Sequence, residues 1–350
     1  MTDATTTMRG AVLTGHGSRD VVRVIDTLPV QEPAAGQVQI RMKAVALNRL
    51  DLWVREGWKG LTLDMPHIVA ADGAGIIEKV GAGVTNVQVG DRVAINPTLV
   101  DPDRLMMAGD EADILDAPIL GEHAPGVACE LKVLPARNVL KMPDSVSFEQ
   151  AAAAGLVYIT SWYSMIERGG LRAGESVLIV GAGGGVNTAS IQIAKYAGCK
   201  VYVVGSSAEK CRQAESLGAD VTINREDDAA WSKTLYKLTN KQGVDVVIDN
   251  VGQATLQDSM RAVKRGGRIL IVGNTSGYNA TIDTRFIFGK QISLIGSSMG
   301  RTKDFHAVMG LVFEGKLKPV IGVVLPLEQI QEGHRLLEEG GLFGKVVLTV

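Results

Sequence analysis

The sequence predicts a two-domain α/β protein, with a strand-rich first part and then a doubly wound parallel sheet. Three observations predict it. Beyond about residue 148, short apolar runs alternate with segments of helical period. Those runs are rich in Val and Ile, as strands buried on both faces are. The first third instead reads as strands separated by Gly and Asn turns. The length of 350 residues agrees, since a domain takes roughly 100–200 residues.

In chain order, MRGAVLTG, VVRVIDTLPV and QVQIRMKAVAL read as strands. ADGAGIIEKVGAGVTNVQVGDRVAIN gives two more around Gly and Asn turns. The stretch from Pro97 to Pro125 is acidic, carries prolines and is weakly periodic, so it reads as a long surface excursion. FEQAAAAGLVYITSWYSMIERGGL has helical period and stops at Gly169-Gly170. SVLIVGAGGG is a strand entering a glycine turn, and VNTASIQIAKYAG is a helix. CKVYVVGSS (strand), AEKCRQAESLGA (helix), VDVVIDNVG (strand), TLQDSMRAVKRGG (helix) and RILIVGNTSG (strand) continue the alternation. FHAVMGLVFEGKL and LEQIQEGHRLLEEG are helices, IGVVLPL is strand-like, and GKVVLTV is a closing strand. The division is therefore 1–150 and 151–300, with about 301–350 returning to complete the first domain.

Composition excludes several classes. Lys+Arg is 36 against 38 Asp+Glu, a net charge of −2, which argues against nucleic acid or an anionic membrane as partner. The three cysteines, Cys129, Cys199 and Cys211, form no CxxC pair, so neither a disulfide framework nor a zinc ribbon is expected. The longest nearly apolar run, Ala151 to Ile159, is far short of the roughly 20 residues of a membrane span. MTDATTTMRG has no apolar h-region, so a cytoplasmic protein is expected.

VGAGGGVNTAS follows a strand and opens a helix, the setting of a dinucleotide-binding turn. Pyrophosphate needs the free N–H groups and positive dipole end of a helix N-terminus, and small residues let the backbone approach it. A strict GxGxxG is not present. The register that fits the junction uses Ala182 and Gly184, with Asn187 in place of the third glycine; Gly185 and Val186 begin the helix. At the end of the next strand an NAD site would carry an acid. Here stand Gly205, Ser206 and Ser207, with Lys210 and Arg212 close behind, so NADP(H) is the expected cofactor. The bland alternative is that Lys210 and Arg212 are the solvated face of a helix. IDNVG and IVGNTSG each place small polar residues just past a buried strand, where ligands lie in such sheets.

With these motifs in order, the chain resembles the medium-chain dehydrogenase/reductase superfamily over nearly its whole length. The resemblance rests on ALNRLDLWVREG, ADGAGIIEKVG, GDRVAIN, AAAAGLVYITSWYSM, GAGGGVNTASIQIAKYAG, SLGAD, VIDNVG and FGKVVLTV. It implies a GroES-like catalytic domain paired with a Rossmann domain. In zinc-dependent members the catalytic ligand positions would fall at Asn48, Ala71 and Leu156, none of which binds zinc in the usual way. The structural zinc lobe would occupy 100–115, where Asp101, Met106 and Ile114 stand near the cysteine positions. The resemblance is thus to the zinc-free branch, with quinone and enoyl reductases. A rebuilt metal site of Asp51, His67 and Asp72 is the alternative.

Without a Lewis acid, a conjugated acceptor takes hydride more readily than a simple ketone, because its own π system spreads the charge. The expected activity is NADPH-dependent reduction of a quinone, enone or enoyl thioester. The alternatives are an alcohol/aldehyde dehydrogenase and a non-catalytic NADPH-binding protein. Asn48 and Tyr158 are the catalytic candidates, as carbonyl donor and proton donor; the bland readings are a turn-forming amide and a core tyrosine. Asp51 reads either as a residue near the cofactor or as a helix cap, and Trp53 as mouth lining or packing. Cofactor contacts are assigned to Asn48, Thr160, Ala182, Gly184, Gly185, Val186, Ser206, Ser207, Lys210, Asn250, Val251, Gly273, Asn274, Thr275, Ser298, Phe343 and Lys345. Lys345 is read as reaching a phosphate. Ser297 and Ser298 lie on a strand that pairs across a dimer in relatives, which implies a homo-oligomer, dimer or tetramer. The remaining partner is a small-molecule substrate.

Overall fold

The computed structural model describes residues 6–110 and 117–350. The chain divides into two compact units. One comprises 1–156, 301–315 and 319–350, and the other 157–300 with 316–318.

The first unit is β-rich. Its strands are β1 (Thr7–Leu13), β2 (Val22–Pro29), β3 (Gln37–Ala46), β4 (His67–Ile68), β5 (Asp72–Val80), β6 (Arg92–Ile95), β7 (Leu131–Pro135) and β8 (Val139–Lys141). Helices α1 (Arg49–Glu56) and α2 (Pro102–Ala108) interrupt them. A three-stranded sheet runs β2-β1-β4. Helix α3 (Phe148–Trp162) carries the chain out of this unit and ends in a π-helical turn, Tyr163–Arg168.

The second unit holds β9 (Ser176–Val180), α4 (Gly185–Tyr196), β10 (Lys200–Gly205), α5 (Ala208–Ser216), β11 (Val221–Asn224), α6 (Trp231–Leu238), β12 (Val244–Asp249), α7 (Leu256–Ala262), β13 (Val263–Ile271), α8 (Arg285–Lys290) and β14 (Ser293–Gly296). The sheet order is β11-β10-β9-β12-β13-β14, all parallel. That is the doubly wound order 3-2-1-4-5-6, with its switch point between β9 and β12. Val177, Leu178, Ile179, Val246, Val247 and Ile248 on those two strands are buried, as a sheet covered on both faces requires.

The chain then returns to the first unit through α9 (Thr302–Phe313), β15 (Ile321–Pro326), α10 (Ile330–Glu339) and β16 (Lys345–Thr349). The larger sheet of this unit runs β15-β16-β3-β5-β6-β8, with β7 also on β3. β16 lies antiparallel on β3, with Val347 opposite Ala46 and Thr349 opposite Ala44. The core beneath is aliphatic, with Ile40, Val45, Leu47, Ile95, Val346 and Leu348 buried together.

β11, α6, α8 and β14 are elements that the periodicity reading passes over. β11 and β14 are the two ends of the sheet and have four residues each, with polar and apolar positions mixed, so no sustained apolar run marks them. The 97–125 excursion contains α2, whose N-terminus is capped by Asp101 accepting from the N–H groups of Asp103 and Arg104 at 2.9 and 3.0 Å. Met106 is exposed on that helix. Ile114 lies outside the described residues.

Candidate active site

In the second unit the predicted cofactor residues gather along one edge, the carboxyl ends of the parallel strands. Gly181 follows β9 at φ +100°, a left-handed conformation natural to glycine, and its N–H donates to Val204 O at 2.9 Å. Gly184 caps α4 in extended conformation, followed by Gly185 and Val186. A Cβ added at Gly184 would meet nothing nearer than 3.8 Å, so this backbone lies open to a ligand beside unpaired N–H groups of a helix start. Ala182 is buried beneath the turn. The residues present fit a pyrophosphate.

Asn187, in the third-glycine position, has a structural task. Its Oδ1 accepts from Asn250 Nδ2 at 2.9 Å, tying α4 to the end of β12. The β12 loop is itself shaped by Asp249, which the sequence reading did not single out. Its buried carboxylate accepts from the N–H groups of Val251 and Gly252 and the hydroxyls of Thr255 and Ser259. An Asp closing a buried strand before a small-residue turn was the available signal. Asn250 O then accepts from Thr275 N–H at 3.2 Å, which joins this loop to Gly273, Asn274 and Thr275 after β13. Ser298 follows β14 on the same edge and is exposed.

After β10, Ser206 is half-buried, and the Ser207 hydroxyl caps α5 by accepting from Lys210 N–H at 3.3 Å. The residues that end β10, Gly205 to Ser207, include no acid, but Asn224 of the neighbouring β11 donates to Asp227 Oδ2 at 2.6 Å. β11 places Asn224 opposite Gly205, and Arg225 N–H donates to Gly205 O at 3.0 Å. The main chain of Arg225 is therefore beside this strand end, a neighbour that the sequence reading lacks because it does not contain β11.

Tyr158 requires correction. It is 1% exposed, and its hydroxyl accepts from Gln192 Nε2 at 3.0 Å. Gln192 is held in turn by the main chain of Lys318 through 2.9 and 2.7 Å bonds. Burial pushes the phenol pKa well up. A side chain packed and tied in this way is core, not a proton donor, and the bland reading is the one the structure takes. Thr160 is also buried, its hydroxyl 4.0 Å from Met299 Sδ. The three cysteines are free and buried, and burial raises each thiol's pKa, Cys129 to about 11.

In the first unit the three family ligand positions come together around one carboxylate. Asn48 Nδ2 donates to Asp72 Oδ2 at 2.8 Å, and Leu156 N–H donates to Asp72 Oδ1 at 2.6 Å; Ala71 precedes Asp72 in the chain. Lys345 Nζ donates to Asn48 Oδ1 at 2.5 Å and to Asp72 Oδ2 at 3.2 Å. Sheet register explains the meeting. Continuing the β16–β3 pairing two residues past Val347 and Ala46 sets Lys345 opposite Asn48, and Ala46 is opposite Asp72 on β5. Positions two apart on a strand share a face, so all three side chains meet. The reading of Lys345 as a phosphate contact is corrected: its ammonium is buried in this internal pair. Phe343 is half-buried just before β16.

Asp51 closes the cluster from α1. Its oxygens accept from Asn48 N–H at 2.7 Å and Ala70 N–H at 3.1 Å. The helix-cap reading therefore holds, and burial lifts its pKa to about 6. Trp53 is partly exposed on the same helix.

These residues do not fit a zinc ion. The donor set is an amide, an Ala and a Leu, and an ammonium lies among them. Nor do Asp51, His67 and Asp72 rebuild one. Both carboxylates are spent on N–H donors, and His67 takes a backbone bond with Gly121. Among the described residues, no group of three ligating side chains could hold a metal ion.

A doubly wound sheet with an open pyrophosphate turn, and a β-rich unit carrying a buried polar cluster, define a nicotinamide-dependent oxidoreductase. Comparison with known proteins agrees. Residues 34–144 match the alcohol dehydrogenase GroES-like domain, and 185–314 the zinc-binding dehydrogenase domain. A zinc-type alcohol dehydrogenase-like protein of Schizosaccharomyces pombe is 31% identical over 90% of this chain and 91% of its own length. The acryloyl-coenzyme A reductase of Metallosphaera sedula is 30% identical over 98% and 100%. Human quinone oxidoreductase is 28% identical over 98% of both chains. Among solved structures, an NAD-dependent alcohol dehydrogenase is 43% identical, with TM-score 0.93 over 98% of this chain and 100% of that one. A 2-octenoyl-CoA carboxylase reductase solved with NADP and 2-octenoyl-CoA is 26% identical, with TM-score 0.86 over 98% and 88%. The chain belongs to the medium-chain dehydrogenase/reductase superfamily, and it is an enzyme, an oxidoreductase.

Proposed function

We propose that this enzyme uses NADPH to reduce an activated acceptor, a quinone or the conjugated double bond of an enone or enoyl thioester, without a metal. The observation that carries the reading is the Asn48–Asp72–Lys345 cluster, in which Asn48 stands at one of the family's metal-ligand positions. A site with hydrogen-bond donors in place of a Lewis acid suits an acceptor that delocalises its own charge. The reductases named among the relatives act on acceptors of this kind or bear their name.

When bound, the nicotinamide supplies a hydride to the electron-poor carbon. This chain's part is to hold the acceptor's oxygen with the Asn48 amide as charge develops there. A proton from water then completes the product, a saturated carbonyl compound from an enone or enoyl thioester and a hydroquinone from a quinone. On the cofactor side, Ser206 and Arg225, with no acid at the end of β10, favour a 2′-phosphate.

The test is consumption of NADPH and of NADH by EDTA-treated enzyme against a quinone, an enone, an enoyl-CoA and a simple aldehyde. Turnover of a conjugated acceptor with NADPH is expected. Turnover of the aldehyde alone, or activity lost to EDTA, refutes the reading. The second reading, an alcohol/aldehyde dehydrogenase, is favoured by the 43%-identical NAD-dependent alcohol dehydrogenase. NADH-linked aldehyde turnover would establish it.

We propose a homo-oligomer as well. β14 is an end strand of its sheet, with exposed residues at both its ends, and an unpaired edge is a template for a second copy. A monomer by sedimentation would exclude it. A cytoplasmic setting is supported by three free cysteines, and no helix among the described residues is long and apolar enough to cross a membrane.

A further inference from the structure

The buried cluster has spent its acceptors and kept donors in reserve. Asp72 Oδ1 is taken by Leu156 N–H, and Oδ2 by Asn48 and Lys345. Asp51 has both oxygens on main-chain N–H groups. An ammonium carries three N–H donors and an amide two. Lys345 uses two of its three within the cluster and Asn48 one of its two. Asn48 is 5% exposed, Lys345 4% and Asp72 0%. Buried donors call for acceptors, and the missing one here is an oxygen.

The amide also has only one orientation. Lys345 Nζ only donates and Asp72 Oδ2 accepts from both partners, so Asn48 turns Oδ1 to the ammonium and Nδ2 to the carboxylate. The ammonium draws charge from Oδ1, which polarises the amide and strengthens its second N–H as a donor. Stability alone is a weak reason for such a pair, since well-packed apolar residues commonly do as well as a buried ion pair.

We propose that Lys345 is a positioning residue for substrate recognition: with Asp72 it clamps Asn48 so that the second Nδ2–H meets the acceptor's carbonyl oxygen. This rests on the reading of the enzyme as a reductase of conjugated carbonyls, and adds to it the means by which the oxygen is held. Asn48 is the group that touches substrate; Lys345 acts through it.

The test compares Lys345→Met and Lys345→Arg with the native enzyme, using NADPH and an enone. Loss of one oriented oxyanion donor lowers kcat by about 10²-fold, and that loss is expected of the methionine variant. The NADPH dissociation constant, from fluorescence titration, is expected to stay within about twofold, since RT ln 2 is only ~0.4 kcal/mol. The arginine variant should recover most of kcat. A methionine variant with native kcat, or one whose loss tracks weaker NADPH binding, overturns the proposal.

Should the methionine variant not fold, hydrogen exchange of the Asn48 side-chain amide in native enzyme decides. One slow and one fast proton is expected, and two protons exchanging at free-amide rates overturn the clamp. If native enzyme turns over no conjugated acceptor, the reductase reading fails, while the amide protons still report on the clamp.

Discussion

Lys345 Nζ stands 3.2 Å from Asp72 Oδ2, and the Asp72 carboxylate is wholly buried. Burial pulls the Lys345 pKa down while the facing carboxylate pulls it up. Removing either partner strands the other charge away from water. Lys345→Met and Asp72→Asn are each expected to cost about 3–5 kcal/mol in urea unfolding. The double variant Lys345→Met/Asp72→Asn should lose less than the two together, because it leaves no orphaned charge. Additive losses would mean that the pair is not coupled.

Gly155 lies against this carboxylate. A Cβ there would overlap Asp72 Oδ1, the atom that Leu156 N–H holds at 2.6 Å. Gly155→Ala is therefore expected to destabilise by about 1–3 kcal/mol despite alanine's higher helix propensity. Gly310, inside α9, is the control, since an added Cβ there meets nothing within 4 Å. Gly310→Ala should be neutral or stabilise by up to about 1 kcal/mol. Equal effects at the two sites, by urea midpoint, would show that contact with Asp72 does not decide the cost.

His334 sets a pH dependence. It is fully buried on α10, its Nδ1 is 3.5 Å from Arg55 Nη1, and Nε2 has no partner. Burial, with Arg55 and Arg19 nearby, pulls its pKa to about 3. An unfolded histidine titrates near 6.5. Because the folded value is depressed, the stability from neutral His334 is fully present above about pH 6.5 and is lost as pH falls toward 3. His334→Gln removes this term, so the decline in Tm between pH 6.5 and 4 should be shallower than in native enzyme. Asp51, raised to about 6, acts with the opposite sign: its contribution is fully present below about 3.8 and is lost as pH rises through 6. An unchanged slope in the glutamine variant would rule His334 out as a source of acid sensitivity.

Much of this was legible in the sequence because it is local. The strand–glycine–helix junction at 176–196 is one contiguous signal, and the missing acid after β10 is one position. The ligand positions Asn48, Ala71 and Leu156 could be placed by resemblance. What replaced the metal could not. Lys345 is 297 residues from Asn48, and only the β16–β3 register joins them. Tyr158 fails as a proton donor for the same reason, since Gln192, which ties its hydroxyl, and Lys318, which holds Gln192, are distant in sequence. Arg225 was invisible while β11, a four-residue end strand, went unread.

Ser206 and Arg225 give opposite handles on cofactor choice. Ser206 follows the last residue of β10, and Arg225 is held beside that end by its 3.0 Å bond to Gly205 O. A carboxylate introduced by Ser206→Asp would accept from ribose hydroxyls and repel a 2′-phosphate. Two charges about 4 Å apart repel by about 1–4 kcal/mol between water and a protein surface. A tenfold or larger rise in the NADPH dissociation constant is therefore expected, with NADH binding unchanged or tighter. Arg225→Ala should weaken NADPH without moving NADH, through loss of the cation alone. Titration with 2′,5′-ADP and 5′-AMP separates the phosphate from the rest of the cofactor, because only the first fragment should bind more weakly after either change. If both fragments weaken together, the variants have disturbed the strand end and not a phosphate contact. If neither shifts, the 2′-phosphate is not read at this edge, and the preference for NADPH loses its structural basis.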